Sequence, residues 1–197
     1  MSEWWTYRLS DFLMFSPRTY WRLVELYNRD VWPLQLIAAA AGLLALWLAA
    51  TRPAARRIVA ALLALAWLWV GWAFHWQRYA TINLAAPYLA GACWLQAALL
   101  VIVGVASHSG PGRPANAVVR GLGWVLANGG LLLYPLAGLA AGRPWAQAEV
   151  FGVMPEPTAL ATLGLLLAGG LPHARSLSVL PAISLLAGMA NLWMLSG

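Results

Sequence analysis

Over most of this chain apolar positions do not alternate with polar ones. They fuse into six stretches that hold no Asp, Glu, Lys or Arg, at about 31–50, 58–76, 85–106, 121–141, 158–171 and 177–195. An α-helix rises about 1.5 Å per residue, so about 20 residues cross the hydrocarbon of a bilayer. All but 158–171 reach roughly that length, and the short stretch predicts a tilted or re-entrant segment. Ahead of them the pattern changes period. Ser16 followed by Pro17 predicts a helix start, a capping hydroxyl and then a residue with no N–H to satisfy. From Pro17 to Asp30, Tyr20, Leu23, Val24 and Tyr27, with Val31 just beyond, recur at the spacing of one helix face, while Arg18, Arg22, Glu25 and Arg29 take the other. The expected fold is all-α: a polytopic integral membrane helical bundle of about six transmembrane helices. An amphipathic interfacial helix lying on the membrane precedes it, itself preceded by Trp4, Trp5 and Tyr7. Residues 1–30 form one part and 31–197 the spanning domain. Glu3, Asp11, Glu25 and Asp30 interrupt the first thirty residues, which therefore read as mature protein and not as a signal peptide.

Composition sharpens the class. Of 197 residues, 62% are hydrophobic and 9% charged, against roughly a quarter charged in a soluble domain. With 13 Trp and 18 Gly, the chain carries more apolar surface than one small core can hide, so the rest faces lipid. The net charge of +6 is all arginine, scattered through short loops and not gathered on one soluble face with interleaved aromatics, which excludes a nucleic-acid partner. Positive residues stay on the cytoplasmic side. Arg52, Arg56 and Arg57, then Arg113 and Arg120, then Arg175 fall in the odd loops, against Arg78 and Arg143 in the even ones. That predicts a bacterial inner-membrane protein with both termini on the periplasmic side. All six carboxylates, including Glu149 and Glu156, then share the outer face with Arg78.

Two segments carry candidate chemistry. Trp69, Trp72, Trp76 and Tyr79 fall on one stripe approaching the outer interface, either an aromatic belt at headgroup level or a wall for a flat or cationic ligand. His75 sits beside that stripe, with Arg78 and Asn83 following, as a structural residue or a binding and proton-handling group. The loop from Arg143 to Thr158 is too apolar and proline-rich for a tether; Trp145, Val150, Phe151 and Met154 predict that it folds back onto the bundle, letting Glu149 face Arg78 or the arginines of the first helix. His75, Glu149 and Glu156 are acceptable ligand types for zinc, iron or manganese, but no His/Glu pair stands at i, i+3 or i, i+4. A haem held by two histidines would need His108 or His173, both on the far side from His75; His75 with Met154 is the remaining geometry. No cofactor is predicted. Nucleophile motifs are missing, and Cys93 has no basic neighbour to make a thiolate. Asn128-Gly129-Gly130 and Pro135, with Pro181 and Asn191, fit either a discontinuous transporter helix or close packing by small residues.

Ser10–Tyr20, Phe74–Asn83 and Gly142–Gly152 resemble a bacterial family of small membrane proteins catalogued only as a domain of unknown function, whose members are sometimes labelled permeases. The resemblance covers nearly the whole chain and implies the multi-span fold and inner-membrane residence; it assigns no catalytic residue. Its three stretches are the outer-face segments that charge topology brings together. The expectation is a permease-like or binding component for a small molecule or ion, its pocket lined by His75, Arg78, Tyr79, Asn83, Glu149, Glu156, Trp72, Trp76 and Trp145, with Arg22 and Glu25 secondary. The alternatives are an accessory subunit docked to a membrane-protein partner or a second copy, and a metal-assisted membrane enzyme using His75 with a carboxylate.

Overall fold

A computed structural model describes residues 15–106 and 116–196, all helix, turn and loop, with no strand among them. Trp4, Trp5 and Tyr7 lie outside the described residues. Helix α1 runs Pro17–Asp30, and Ser16 Oγ accepts the Thr19 N–H at 3.2 Å, the cap expected from the sequence. Helix α2 (Leu34–Thr51) descends from it. Helix α3 (Arg56–Trp69) returns and continues as a π-helical stretch, Val70–Trp76. Helix α4 (Ala86–Leu99) descends again into a π stretch, Leu100–Ala106. Helices α5 (Ala117–Asn128) and α6 (Tyr134–Ala140) form one run joined by a third π stretch, Gly129–Leu133. Then come α7 (Pro155–Ala168), the short α8 (Ala174–Leu177) and α9 (Val179–Ser196).

Five runs among the described residues are long and apolar enough to cross a membrane: 34–51, 53–81, 86–106, 117–140 and 174–195. The segment read as 158–171 is α7, and its 14 residues rise only about 21 Å against the roughly 30 Å of hydrocarbon. It is a central helix sheathed by protein. α7 runs antiparallel to the α5–α6 run: Gly123 faces Gly164 and Ala168, and Gly130 faces Pro157 and Ala161. A Cβ on Gly164 would fall on the Ala127 backbone, so the approach is possible only because that residue has none. Leu171, just past α7, joins Leu48, Ala60 and Leu100 in the core at the end opposite α1, whereas Leu195 of α9 joins Tyr20 and Phe74 under α1. The chain therefore makes six antiparallel passes, five as long helices and one, α7, from inside the protein.

The interfacial reading of α1 needs correction. Its apolar face, Tyr20, Val24 and Tyr27, is buried against Ala73, Phe74, Tyr79, Val153 and Met154 of its own chain, so α1 closes the end of the bundle and does not rest that face on lipid. The other face is laced by Glu25, which accepts from Arg22 at 2.9 Å and Arg29 at 3.0 Å.

Candidate functional site: a buried acid pair beneath the capping helix

The loop between α6 and α7 folds back as its composition predicts, and the reason is backbone bonding. Asn28 of α1 donates to the carbonyls of Ala146 (3.0 Å) and Ala148 (2.9 Å), and the Tyr27 hydroxyl donates to Val153 O (3.2 Å) while accepting from Trp69 Nε1 (3.1 Å). Gly142 and Gly152 take the left-handed turns (φ 79° and 74°) that L side chains rarely adopt. Thr158 Oγ1 accepts the Gly152 N–H at 2.8 Å, locking the entry to α7. These restraints drive two acids inward: Glu149 from the loop and Glu156 from the first turn of α7, exposed by only 1% and 4%.

Only the first has a cation bonded to it. Arg143 Nη1 donates to Glu149 Oε2 at 2.9 Å, and its guanidinium lies 4.0 Å over the Trp21 ring of α1. Arg143 is the better-hydrated partner, its side chain 21% exposed. The second oxygen of Glu149 and Oε2 of Glu156 are buried without a hydrogen-bond partner. Burial pushes the Glu149 carboxyl above its ordinary value of 4.5, and the Arg143 bond and charge pull it part of the way back. The Tyr20 phenol is raised well above its ordinary range, by burial first, then by Glu156 and Glu149. Tyr20 therefore stays neutral above the pair and marks how near both acids lie. The Tyr79 hydroxyl donates to Asn191 Oδ1 of α9 (3.2 Å), and the Glu156 carboxyl packs on Gly188, where a Cβ would collide with it. Of two buried acids, Glu149 thus has the guanidinium, and Glu156 has no ion-pair partner among the described residues.

Residues 18–196 match a family of unknown function, DUF6064. The chain belongs to that family. No curated protein and no solved structure matches it.

In this DUF6064 protein the residues singled out from the sequence divide into three groups. Glu149, Glu156 and Tyr79 meet in the buried cluster, and His75 is buried beside it, its ring 5.3 Å from Phe74 and 6.0 Å from Tyr79, with Nδ1 unpartnered. Arg78, Arg22 and Glu25 do not join them, whereas Asn83 borders the cluster through a side-chain hydrogen bond with Tyr79. Arg78 bonds Asp30 at 2.7 Å and not Glu149, because the loop carries its own arginine six positions before that acid. Asn83 accepts from the Ala85 N–H in a turn. Trp72 and Trp76, each 49% exposed, pack elsewhere, Trp72 against Trp69 and Trp76 against Trp94. The wider winding of Val70–Trp76 separates them from Tyr79, which a regular helix would place on their stripe. Trp145 is exposed on another cleft. No three His, Cys, Asp or Glu side chains among the described residues stand close enough to hold a metal ion together. Sequence reasoning missed Arg143, Tyr20 and Asn191 as members of the cluster. The sign for Arg143 was its place in the same apolar loop as Glu149; Tyr20 was hidden among the apolar-face residues of α1.

Proposed function

We propose that this protein is a permease-like, ion-handling component of a bacterial inner membrane that takes up a proton or a small monovalent cation at Glu149 and Glu156. The observation that carries the reading is the charge count: two buried carboxylates, one guanidinium, and an unpartnered oxygen on each acid. Buried like charges side by side are relieved by a proton or a bound cation, and ionisable groups inside a membrane bundle are the usual parts of such pathways. Arg143, partly hydrated and stacked on Trp21, is the member of the cluster nearest water and guards its entry. Arg52, Arg56, Arg57, Arg120 and Arg175 all belong to the end opposite α1, which by retention of positive residues faces the cytoplasm; α1 and the acid pair then open to the periplasm.

Purified protein in liposomes with a pH-sensitive dye in the lumen, driven by a potassium diffusion potential, tests the reading. Wild type should carry protons, or exchange them for sodium, and Glu156→Gln, of equal fold and size, should lose at least tenfold of the rate. Equal flux in the two overturns it.

A further inference from the structure

A cleft separate from the acid pair opens between α1 and the outer end of the run 53–81. Its volume of about 520 Å³ falls within the range of ligand sites. One wall is a row on α1, where Arg18, Arg22 and Leu26 follow at i, i+4 spacing and so face the same way, with Leu23 beside them. The other wall holds Gln77 and Arg78. Three guanidiniums therefore border one cleft, and among the described residues no Asp or Glu lines it. The nearby acids act from behind. Glu25 Oε1 accepts from Arg22 at 2.9 Å and from Arg29 at 3.0 Å, and Asp30 Oδ2 accepts from Arg78 Nη2 at 2.7 Å. Each of these pairs engages one nitrogen of a guanidinium that has further N–H donors, so it steadies Arg22 and Arg78 and leaves them able to bind. Arg18 makes no ion pair with any described residue. Four arginines against two acids leave this corner of the described structure positively charged. The donors are also within reach of a ligand, the side chains of Arg22 and Arg78 being 56% and 41% exposed. Two observations set the depth. Arg78 lies at the end of a membrane-crossing run, just past the half-exposed indoles of Trp72 and Trp76, where such rings flank headgroups, and exposed Leu26 extends the α1 row with apolar surface. Fixed arginines at headgroup depth with an apolar flank complement a phosphate carried on an acyl chain.

We propose that this cleft binds the phosphodiester of an anionic phospholipid of the phosphatidylglycerol class. Arg18, Arg22 and Arg78 take the phosphate, Gln77 meets the headgroup, and the glycerol and first methylenes lie against Leu23 and Leu26. A zwitterionic lipid offers the same phosphate but brings its own cation, which the excess positive charge of the cleft repels.

Protein taken from nanodiscs of equal phosphatidylglycerol and phosphatidylcholine, matched in acyl chains, and then transferred to mild detergent should retain one lipid by native mass spectrometry. Phosphatidylglycerol should be favoured about tenfold. Arg18→Gln with Arg78→Gln should bring that preference toward one. Arg18→Gln alone breaks none of the ion pairs above, should lower the preference about threefold, and serves if the double variant does not fold. Arg29→Gln removes the same charge from the same helix but outside the cleft, and should leave the preference within about twofold of wild type. Equal retention of the two lipids, no retained lipid, or a loss in Arg29→Gln as large as in the cleft variants overturns the site. Release of the lipid when inorganic phosphate replaces chloride at equal ionic strength makes this a site for free phosphate and overturns the lipid assignment.

Discussion

Replacing Arg143 by Met tests the energetics of the cluster most sharply, because it strands Glu149. The carboxyl is 1% exposed and cannot swing into water. Its escape is to take a proton, and the cost of that has a ceiling. From an ordinary value of 4.5, protonation at pH 7 costs about 2.5 × 1.36, or about 3 kcal/mol. That matches the lower part of the ~3–5 kcal/mol seen when one partner of a buried ion pair is removed. Loss of the guanidinium from the Trp21 face adds about 0.5–1 kcal/mol. For a chain of this size the sum corresponds to a drop of roughly 7–16 °C in Tm. The sign with pH follows from the raised carboxyl. A folded-state value above the unfolded one means the penalty is absent below pH 4.5 and grows as pH rises. Arg143→Met raises the carboxyl further, so its deficit against wild type should be largest at pH 7–8 and shrink to about 1–2 kcal/mol by pH 5, where protonation costs only about 0.7 kcal/mol. Adding Glu149→Gln should recover all but the Trp21 part. Thermal unfolding in detergent, followed by tryptophan fluorescence at pH 5 and 7.5, measures all of this. A deficit that is the same at both pH values, or that survives in the double variant, refutes the reasoning.

Other consequences are as direct. Gly164→Ala puts a Cβ into the Ala127 backbone and should cost about 1–3 kcal/mol by overpacking, read as lower folded yield and Tm, whereas Gly91→Ala, which meets nothing, should not. Trp67→Phe removes the buried bond from Nε1 to Thr162 Oγ1 (3.0 Å) and should cost about 1–3 kcal/mol, while Trp72→Leu, on an exposed site, should stay within about 0.5 kcal/mol in the same melt. Single cysteines introduced into a Cys93→Ala background should react with an impermeant thiol reagent on spheroplasts at position 78 and not at 56; the reverse pattern turns the proposed orientation over.

The helices were legible where the physics is local. Ser16 and Pro17 set the start of α1, and uninterrupted apolar runs located the five long helices to within a few residues, because desolvation alone dictates them. Glu149 and Glu156 stood out for the same reason, as acids in apolar surroundings. What failed depends on partners. Arg78 and Arg143 are equally basic in sequence, and only the fold of the loop decides that Arg143 meets Glu149. The Trp72, Trp76 and Tyr79 stripe assumed a regular helix, and the π winding of Val70–Trp76 parted it. Helix α7 looked like a weak span because its length, and not its place, was visible; the glycines at 123, 130 and 164 that let it enter the centre of the bundle are informative only once both helices are seen together.

The acid pair itself is open to direct observation by infrared difference spectroscopy on protein in sodium- and potassium-free buffer. The wild type should show the carbonyl stretch of a protonated carboxylic acid at pH 7, bleaching as sodium is added or pH is raised, and Glu156→Gln should lack it. Superimposable spectra from wild type and Glu156→Gln, at every pH and sodium level, would contradict the account.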